Sequence, residues 1–290
     1  MYGQLKSSWV IVAAGCGVIV LSGFLCGCEG SKGDGDAAAC NQRGIAHAQA
    51  GRHAEAIAEF RKAIAIRPDS AEAHCNMGTA HNRLRQYADA VAAYKKAVAL
   101  KPDYTKAHYN MSVAYRMLGR FADEIAVCEK VIAIEPDHAD AWYNMGVACG
   151  QLRKYTEALA AFEKAVAIKP NYARAYYNIG VTYQMLGRFE DVVTASQKAI
   201  AIKPDFAEAH CNMGFGYINI GKFDEAITAC EKAVAVKPDF AGAYYNRATA
   251  YYYKGNYDKA WADVKTCRRL GVDVDPKLLA ELRKVSGREE

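Results

Sequence analysis

Seven histidines and ten cysteines are the first residues of this 290-residue chain whose types suggest chemistry, since imidazole and thiolate together hold zinc or copper. Cys40, His74 and His108 form one series with a 34-residue step, and His47 and His81 form a second. Stacked units would bring such side chains near one another. No HExxH and no CxxC accompanies them, so the plainer reading is one planar ring replacing another in a half-buried layer. No metal or other cofactor is expected. Cys40, Cys75, Cys128, Cys149, Cys211, Cys230 and Cys267 are scattered, as small buried hydrophobes would be rather than a disulfide framework. The chain has no Walker loop, no GxSxG elbow and no glycine-rich strand-to-helix turn, and an enzyme is not expected.

Amides make the more regular pattern. Asn76, Asn110, Asn144, Asn178, Asn212 and Asn246 are each 34 residues apart, with Gln42 one step earlier. A carboxamide offers one acceptor and two donors, so it can pair with both the N–H and the C=O of an extended backbone. Tyr109, Tyr143, Tyr177 and Tyr245 directly precede four of these asparagines, and Asn41, Cys75 and Cys211 take that place elsewhere. Rigid amphipathic tyrosines make contact area at low entropic cost. Lys106 and Arg174 stand three residues before Tyr109 and Tyr177.

The elements that must position these residues follow from the prolines. Pro68, Pro102, Pro136, Pro170, Pro204 and Pro238 are 34 residues apart without insertion or deletion, within text such as AVAIKPNYARAYYNIG and AIAIKPDFAEAHCNMG. After each proline, apolar residues recur at helical spacing, as at Trp142, Met145, Gly146, Cys149 and Leu152. Arg153-Lys154-Tyr155 reads as a turn, Thr156 to Ile168 as a second amphipathic helix, and Lys169-Pro170 as its end. Glycine at the eighth place of most units allows the two helices to approach closely. A single hairpin cannot bury its apolar face; neighbours stacked on both sides can.

This pattern resembles the tetratricopeptide repeat (TPR). That family sets aromatic, apolar or small residues and proline at places 4, 7, 8, 11, 20, 24, 27 and 32. The fourth unit supplies Trp142, Met145, Gly146, Cys149, Ala158, Phe162, Ala165 and Pro170. Seven units are expected, at 37–70, 71–104, 105–138, 139–172, 173–206, 207–240 and 241–274, with a capping helix and tail at 275–290. The implied fold is an all-α right-handed superhelical solenoid, built from seven helix-turn-helix repeats plus the C-terminal capping helix. The resemblance implies that places 2, 5, 6, 9, 12 and 13 face a concave groove. There the six asparagines, Tyr109, Tyr143, Tyr177, Tyr245, Lys106 and Arg174 would hold a peptide segment of a partner. The row looks like the asparagine ladder in the TPR arm of O-linked N-acetylglucosamine transferases. The plainer alternative is that asparagine at place 6 is family consensus serving hydrogen bonds within the repeat. Lys106 and Arg174 with Asn76, Asn110 and Asn178 also resemble part of the carboxylate clamp of TPR co-chaperones.

Two units depart from the pattern. Glu124 takes the small place 20 of the third, with Cys128 and Val131 at places 24 and 27, and Val192 and Ser196 take places 20 and 24 of the fifth. A carboxylate between helices costs about 1 kcal/mol or more unless it finds a partner or water. These units are candidates for local weakness or a bend, against slight helix rotation as the alternative.

The first residues read as an address. A short basic start precedes the uncharged run WVIVAAGCGVIVLSGFL at 9–25, which makes 1–27 a signal peptide and 28–36 a flexible linker. Leu25-Cys26-Gly27-Cys28 resembles a bacterial lipobox, which implies lipidation (palmitate among its acyl chains) at Cys28. An uncleaved inner-membrane signal anchor and an ordinary cleaved signal stay open as alternatives. The expected place is the bacterial cell envelope, lipid-anchored and facing the periplasm or exterior. Net charge is only +5 and the signs are interspersed, so nucleic acid is not an expected partner. The expected function is a membrane-tethered, non-enzymatic protein–protein interaction scaffold. An envelope assembly factor similar to pilotin lipoproteins, or a self-associating scaffold, is the alternative.

Overall fold

The computed structural model describes residues 29–288, so the signal-peptide and Cys28 lipidation readings lie outside the described residues. The described residues form fifteen α-helices and no strand. They alternate as α1 (Glu29–Gln49), α2 (His53–Ile66), α3 (Ala71–Arg83), α4 (Tyr87–Leu100) and α5 (Thr105–Met117). Next come α6 (Phe121–Ile134), α7 (Ala139–Gln151), α8 (Tyr155–Ile168), α9 (Ala173–Met185) and α10 (Phe189–Ile202). The chain ends with α11 (Ala207–Asn219), α12 (Phe223–Val236), α13 (Ala241–Tyr253), α14 (Tyr257–Arg269) and α15 (Pro276–Ser286). Tyr155 thus opens α8 rather than closing the turn before it.

Each helix packs on the next, and the odd-numbered helices also touch one another: α3 on α5, α5 on α7, α7 on α9, α9 on α11 and α11 on α13. Second-neighbour contact on one layer only means that the odd helices form the tighter, inner wall. The even helices splay outward behind them.

Close approach within a pair is a knob in a hole. A Cβ built on Gly78 would lie 2.7 Å from the Tyr94 ring, and one on Gly146 equally close to Phe162. Where the hole is shallower the knob is smaller: Ser112 faces Cys128, and Ala248 is matched with Val264. The turn inside each pair needs a left-handed residue. Gly51, Gly119, Gly187, Gly221 and Gly255 supply it, but Arg85 (φ 60°) and Arg153 (φ 59°) do so in the second and fourth pairs. Between pairs, the residue before proline is extended, as at Lys101 (φ −134°, ψ 92°), which stops the helix before Pro102.

Both ends differ from the expectation or complete it. Within the linker placed at 28–36, residues 29–36 are instead the beginning of α1, which runs from Glu29. Buried Ala37 and Cys40 dock the helix, and Asp34 reaches Arg67 at 3.7 Å, so its early turns extend from an anchored segment. At the other end, Asp275 caps α15 by accepting the Lys277 N–H at 2.8 Å, Pro276 begins the helix, and Gly287 ends it at φ 67°. Leu278 and Leu282 are buried against Trp261, Val264 and Cys267, and Trp261 Nε1 donates to Ser286 Oγ at 3.0 Å. The final pair is thereby covered.

The departures at the third and fifth pairs have local partners. Glu124 is fully buried and accepts from Arg116 Nε at 2.7 Å. Ser196 Oγ accepts from Asn212 Nδ2 at 3.2 Å, so an amide occupies the space that a ring fills in other repeats. α6 and α10 keep the 14-residue length of the other second helices α2, α4, α8 and α12.

Candidate functional site

The six asparagines stand at one rank of α3, α5, α7, α9, α11 and α13, on the inner layer. Five of the six amide nitrogens donate across the repeat joints. Asn76 Nδ2 donates to Asn41 Oδ1 at 3.3 Å, Asn178 to the Tyr143 hydroxyl at 3.0 Å and Asn246 to the Cys211 carbonyl at 3.2 Å. Each of these acceptors is the place-5 residue of the preceding repeat. Asn110 instead reaches Thr79 Oγ1 at 3.4 Å. Asn144 is 3% exposed and its amide nitrogen has no partner, an unmet donor within the wall. Asn212 and Asn246 are also buried, whereas Asn76, Asn110 and Asn178 are half-buried. The row is therefore uneven: the latter three present surface, and the others are turned into the joints.

The tyrosine row is held by rings that the sequence reading passed over. Tyr109 meets His138 (centroids 5.1 Å), Tyr143 stacks on Tyr172 (4.9 Å) and Tyr177 meets Phe206 (5.2 Å). The second ring of each pair is the last residue of the same repeat. A lysine three residues earlier lies over it in several repeats, as Lys169 does over Tyr172 at 4.6 Å and Lys203 over Phe206 at 5.2 Å. The signal was an aromatic two residues past proline, in the KPDY and KPDF text. Burial raises the hydroxyl pKa of Tyr109, Tyr177 and Tyr245, which keeps them neutral donors at physiological pH.

Three hollows lie on this wall. Lys106 and Asn76 line one of about 390 Å³ with Lys101, Tyr104, Ile45 and Glu72. Arg174 is not part of it, so the residues suggesting a carboxylate clamp come together only in part and share their hollow with an acid. A second, of about 440 Å³, is lined by Tyr143, Val147, Gly150, Asn178, Val181 and Met185 among others, and no charged side chain lines it. A third, also about 440 Å³, lies between Tyr245, Thr249 and Tyr252 and the α15 residues Leu278 and Glu281. Met117, Met185 and Tyr253, at place 13, are 55%, 52% and 58% exposed. At place 2 the charges alternate along the solenoid: Glu72, Lys106, Asp140, Arg174, Glu208.

Three of the histidines serve the joints. His74, His108 and His210 donate through Nε2 to the carbonyls of Pro68, Pro102 and Pro204 at 3.1, 2.8 and 2.9 Å. Trp142 Nε1 and the Tyr244 hydroxyl make the same bond to Pro136 and Pro238. In these five repeats place 4 carries a ring with a donor at its edge. Among the described residues no group of three or more His, Cys, Asp or Glu could hold a metal ion.

The architecture is that of a helical-hairpin repeat protein with a lined inner wall. Models of the tetratricopeptide repeat match residues 75–137, 139–172, 161–193, 207–240 and 229–262, and a TPR repeat model matches 44–84. The chain belongs to the tetratricopeptide-repeat family, whose fold is typically a non-enzymatic scaffold for protein–protein interaction. Among solved structures, the crystal structure of MamA is 28% identical with a TM-score of 0.55, the match covering 57% of this chain and 96% of that one. YrrB, described as a TPR protein with an unusual peptide-binding site, is 22% identical (TM-score 0.56), covering 63% of this chain and 95% of its own. PilW, described as a widely conserved type IV pilus biogenesis factor, is 18% identical (TM-score 0.60), covering 70% and 94%. A search of curated proteins gives no match.

Proposed function

We propose that the chain is an interaction scaffold whose inner wall takes an extended segment of a partner protein, with the apolar hollow between α7 and α9 receiving one large apolar side chain. The observation that carries this reading is the convergence on one wall of Tyr143, Val147, Asn178, Val181 and Met185 around an uncharged hollow. Tyr143 and Asn178, bonded to each other at 3.0 Å, present a fixed polar edge beside it. A carboxamide that donates to the protein keeps its oxygen for a ligand N–H. Family membership supports a protein partner, and YrrB supplies an example of peptide binding on this fold.

The proposal includes a tether: Cys28, within Leu25-Cys26-Gly27-Cys28, would carry the lipid that holds the scaffold at a bacterial envelope membrane. A single acyl chain holds only marginally, so stable anchoring needs the multiple chains of a lipoprotein. Among the described residues no helix is long and apolar enough to cross a membrane. The narrower reading, an envelope assembly factor, draws on the same N-terminal sequence and on the fold likeness to PilW.

Crosslinked pull-down from native membranes tests the groove, comparing wild type with the Asn110→Ala/Asn144→Ala/Asn178→Ala variant and with Met185→Glu. Partners captured by wild type and lost in both variants, with circular dichroism unchanged, are groove ligands. Equal capture by all three removes the reading. Detergent phase partition of wild type against Cys28→Ser tests the tether separately.

A further inference from the structure

A further hollow lies off the groove, between the first and second repeats. It measures about 540 Å³, within the range of small-molecule sites, and is bounded by α2, α3 and α4. Its apolar lining includes Ile57, Met77 and Leu84, while Arg61 and Lys96 are the cations on it and His81 contributes an imidazole. It shares no residue with the inner-wall hollows.

Two later repeat joints serve as internal controls. At the joint of the fourth and fifth repeats, the places of Arg61 and His81 are held by Glu163 and Tyr183. Burial and then the Glu163 carboxylate push the Tyr183 hydroxyl pKa up, and Arg188 packs over that ring at 4.5 Å. Glu231 and Tyr251 repeat the acid-and-ring pair at the sixth and seventh. At the joint of the first and second repeats the ring is smaller, the acid is replaced by a guanidinium, and the residue at the place of Arg188 is Gln86. His81 is 7% exposed and its Nδ1–H donates to Gln86 Oε1 at 2.7 Å, which leaves Nε2 for a ligand. Arg61 and Lys96 are exposed and make no ion pair among the described residues. Asp89 also lines the hollow and offsets one of the two charges, so Arg61, Lys96 and Asp89 together leave one net positive charge. That balance suits a monoanion better than a dianionic phosphate.

We propose that this hollow binds a small amphiphilic carboxylate, its head group between Arg61 and Lys96 near His81 and its hydrocarbon body on Ile57, Met77 and Leu84. Charge-assisted bonds from a guanidinium and an ammonium fix the head, and the apolar floor selects for a body of several carbons.

The test is titration of the full-length protein with decanoate below its micellar concentration, following histidine side-chain resonances by ¹H–¹⁵N NMR. The expected result is a saturable shift of the His81 ring signals, with acetate (head without body) and decanol (body without charge) each at least ten-fold weaker. Arg61→Glu installs the residue type of later repeats at an exposed position, so the fold is kept, and it is expected to weaken decanoate at least ten-fold. Asn178→Ala, on the inner wall, is expected to leave decanoate binding unchanged. Absence of a saturable His81 shift, equal affinity in Arg61→Glu, or decanol binding as tightly as decanoate would each overturn the proposal.

Discussion

Arg116 and Glu124 form an ion pair of 2.7 Å in which the acid is fully buried and the base 26% exposed. Glu124 occupies a place that Ala56, Ala90, Ala158, Ala226 and Ala260 hold in other repeats, so the pair replaces a methyl contact between α5 and α6. One carboxylate oxygen and one guanidinium nitrogen remain without partners. Removing the base alone strands a charge, whereas removing the acid alone leaves an arginine that can turn to water. Arg116→Ala is therefore expected to destabilise by about 3 kcal/mol, more than Glu124→Ala, and the double variant to recover most of that loss. Urea unfolding of the four proteins checks this, and equal single-variant losses would contradict it.

The same pair sets a pH dependence. Burial raises the Glu124 pKa in the fold, with Arg116 opposing, so the folded state favours the protonated acid more than the unfolded chain does. This group's contribution is full below the unfolded carboxylate range and declines as pH rises through the raised folded value. The stability of Glu124→Ala relative to wild type should thus fall as the pH is lowered from neutral into the carboxylate range. Thermal melts of both proteins across that window measure it.

Left-handed turns offer a stabilising change. Arg85 and Arg153 sit at φ 60° and 59°, where the other five turns of this kind use glycine. A side chain in that region costs roughly 1–2 kcal/mol, partly offset because glycine has more freedom to lose on folding. Arg85→Gly and Arg153→Gly are each expected to stabilise by about 0.5–1 kcal/mol in chemical denaturation. A fall in midpoint for both would show that the arginine side chains hold those turns by other contacts.

The 34-residue proline step made the alternating helices legible because each repeat is a local unit bounded by turn chemistry. The rank of the asparagines was legible for the same reason, and their direction was not. Whether Asn212 faces a ligand or Ser196 depends on a ring being lost at place 24 of another helix, a compensation visible only across the joint. Place 4 shows the converse. His74, His108, Trp142, His210 and Tyr244 look dissimilar as metal ligands or core rings, yet each has an edge donor for a proline carbonyl. End effects were also hidden. Arg43 with Glu59 and Arg247 with Asp263 place ion pairs in the first and last repeats, where the second to sixth pair Met or Ile with Ala or Val. A strictly periodic reading averages over such differences.

The last of those pairs is testable by making its repeat like its neighbours. Arg247 grips Asp263 through two bonds, Nε to Oδ2 at 2.8 Å and Nη2 to Oδ1 at 2.7 Å, and Asp263 is 4% exposed. Bidentate geometry makes the pair strong once formed, but desolvation of both charges offsets much of the attraction. Arg247→Met alone leaves the buried acid unpaired and is expected to cost about 3 kcal/mol. Arg247→Met with Asp263→Ala reproduces the Met and Ala that the second repeat carries at these places, Met77 and Ala93, and is expected within about 1 kcal/mol of wild type. Chemical denaturation of the single and double variants decides between this and a structural need for the charges at the solenoid's end, which a double variant as weak as the single one would establish.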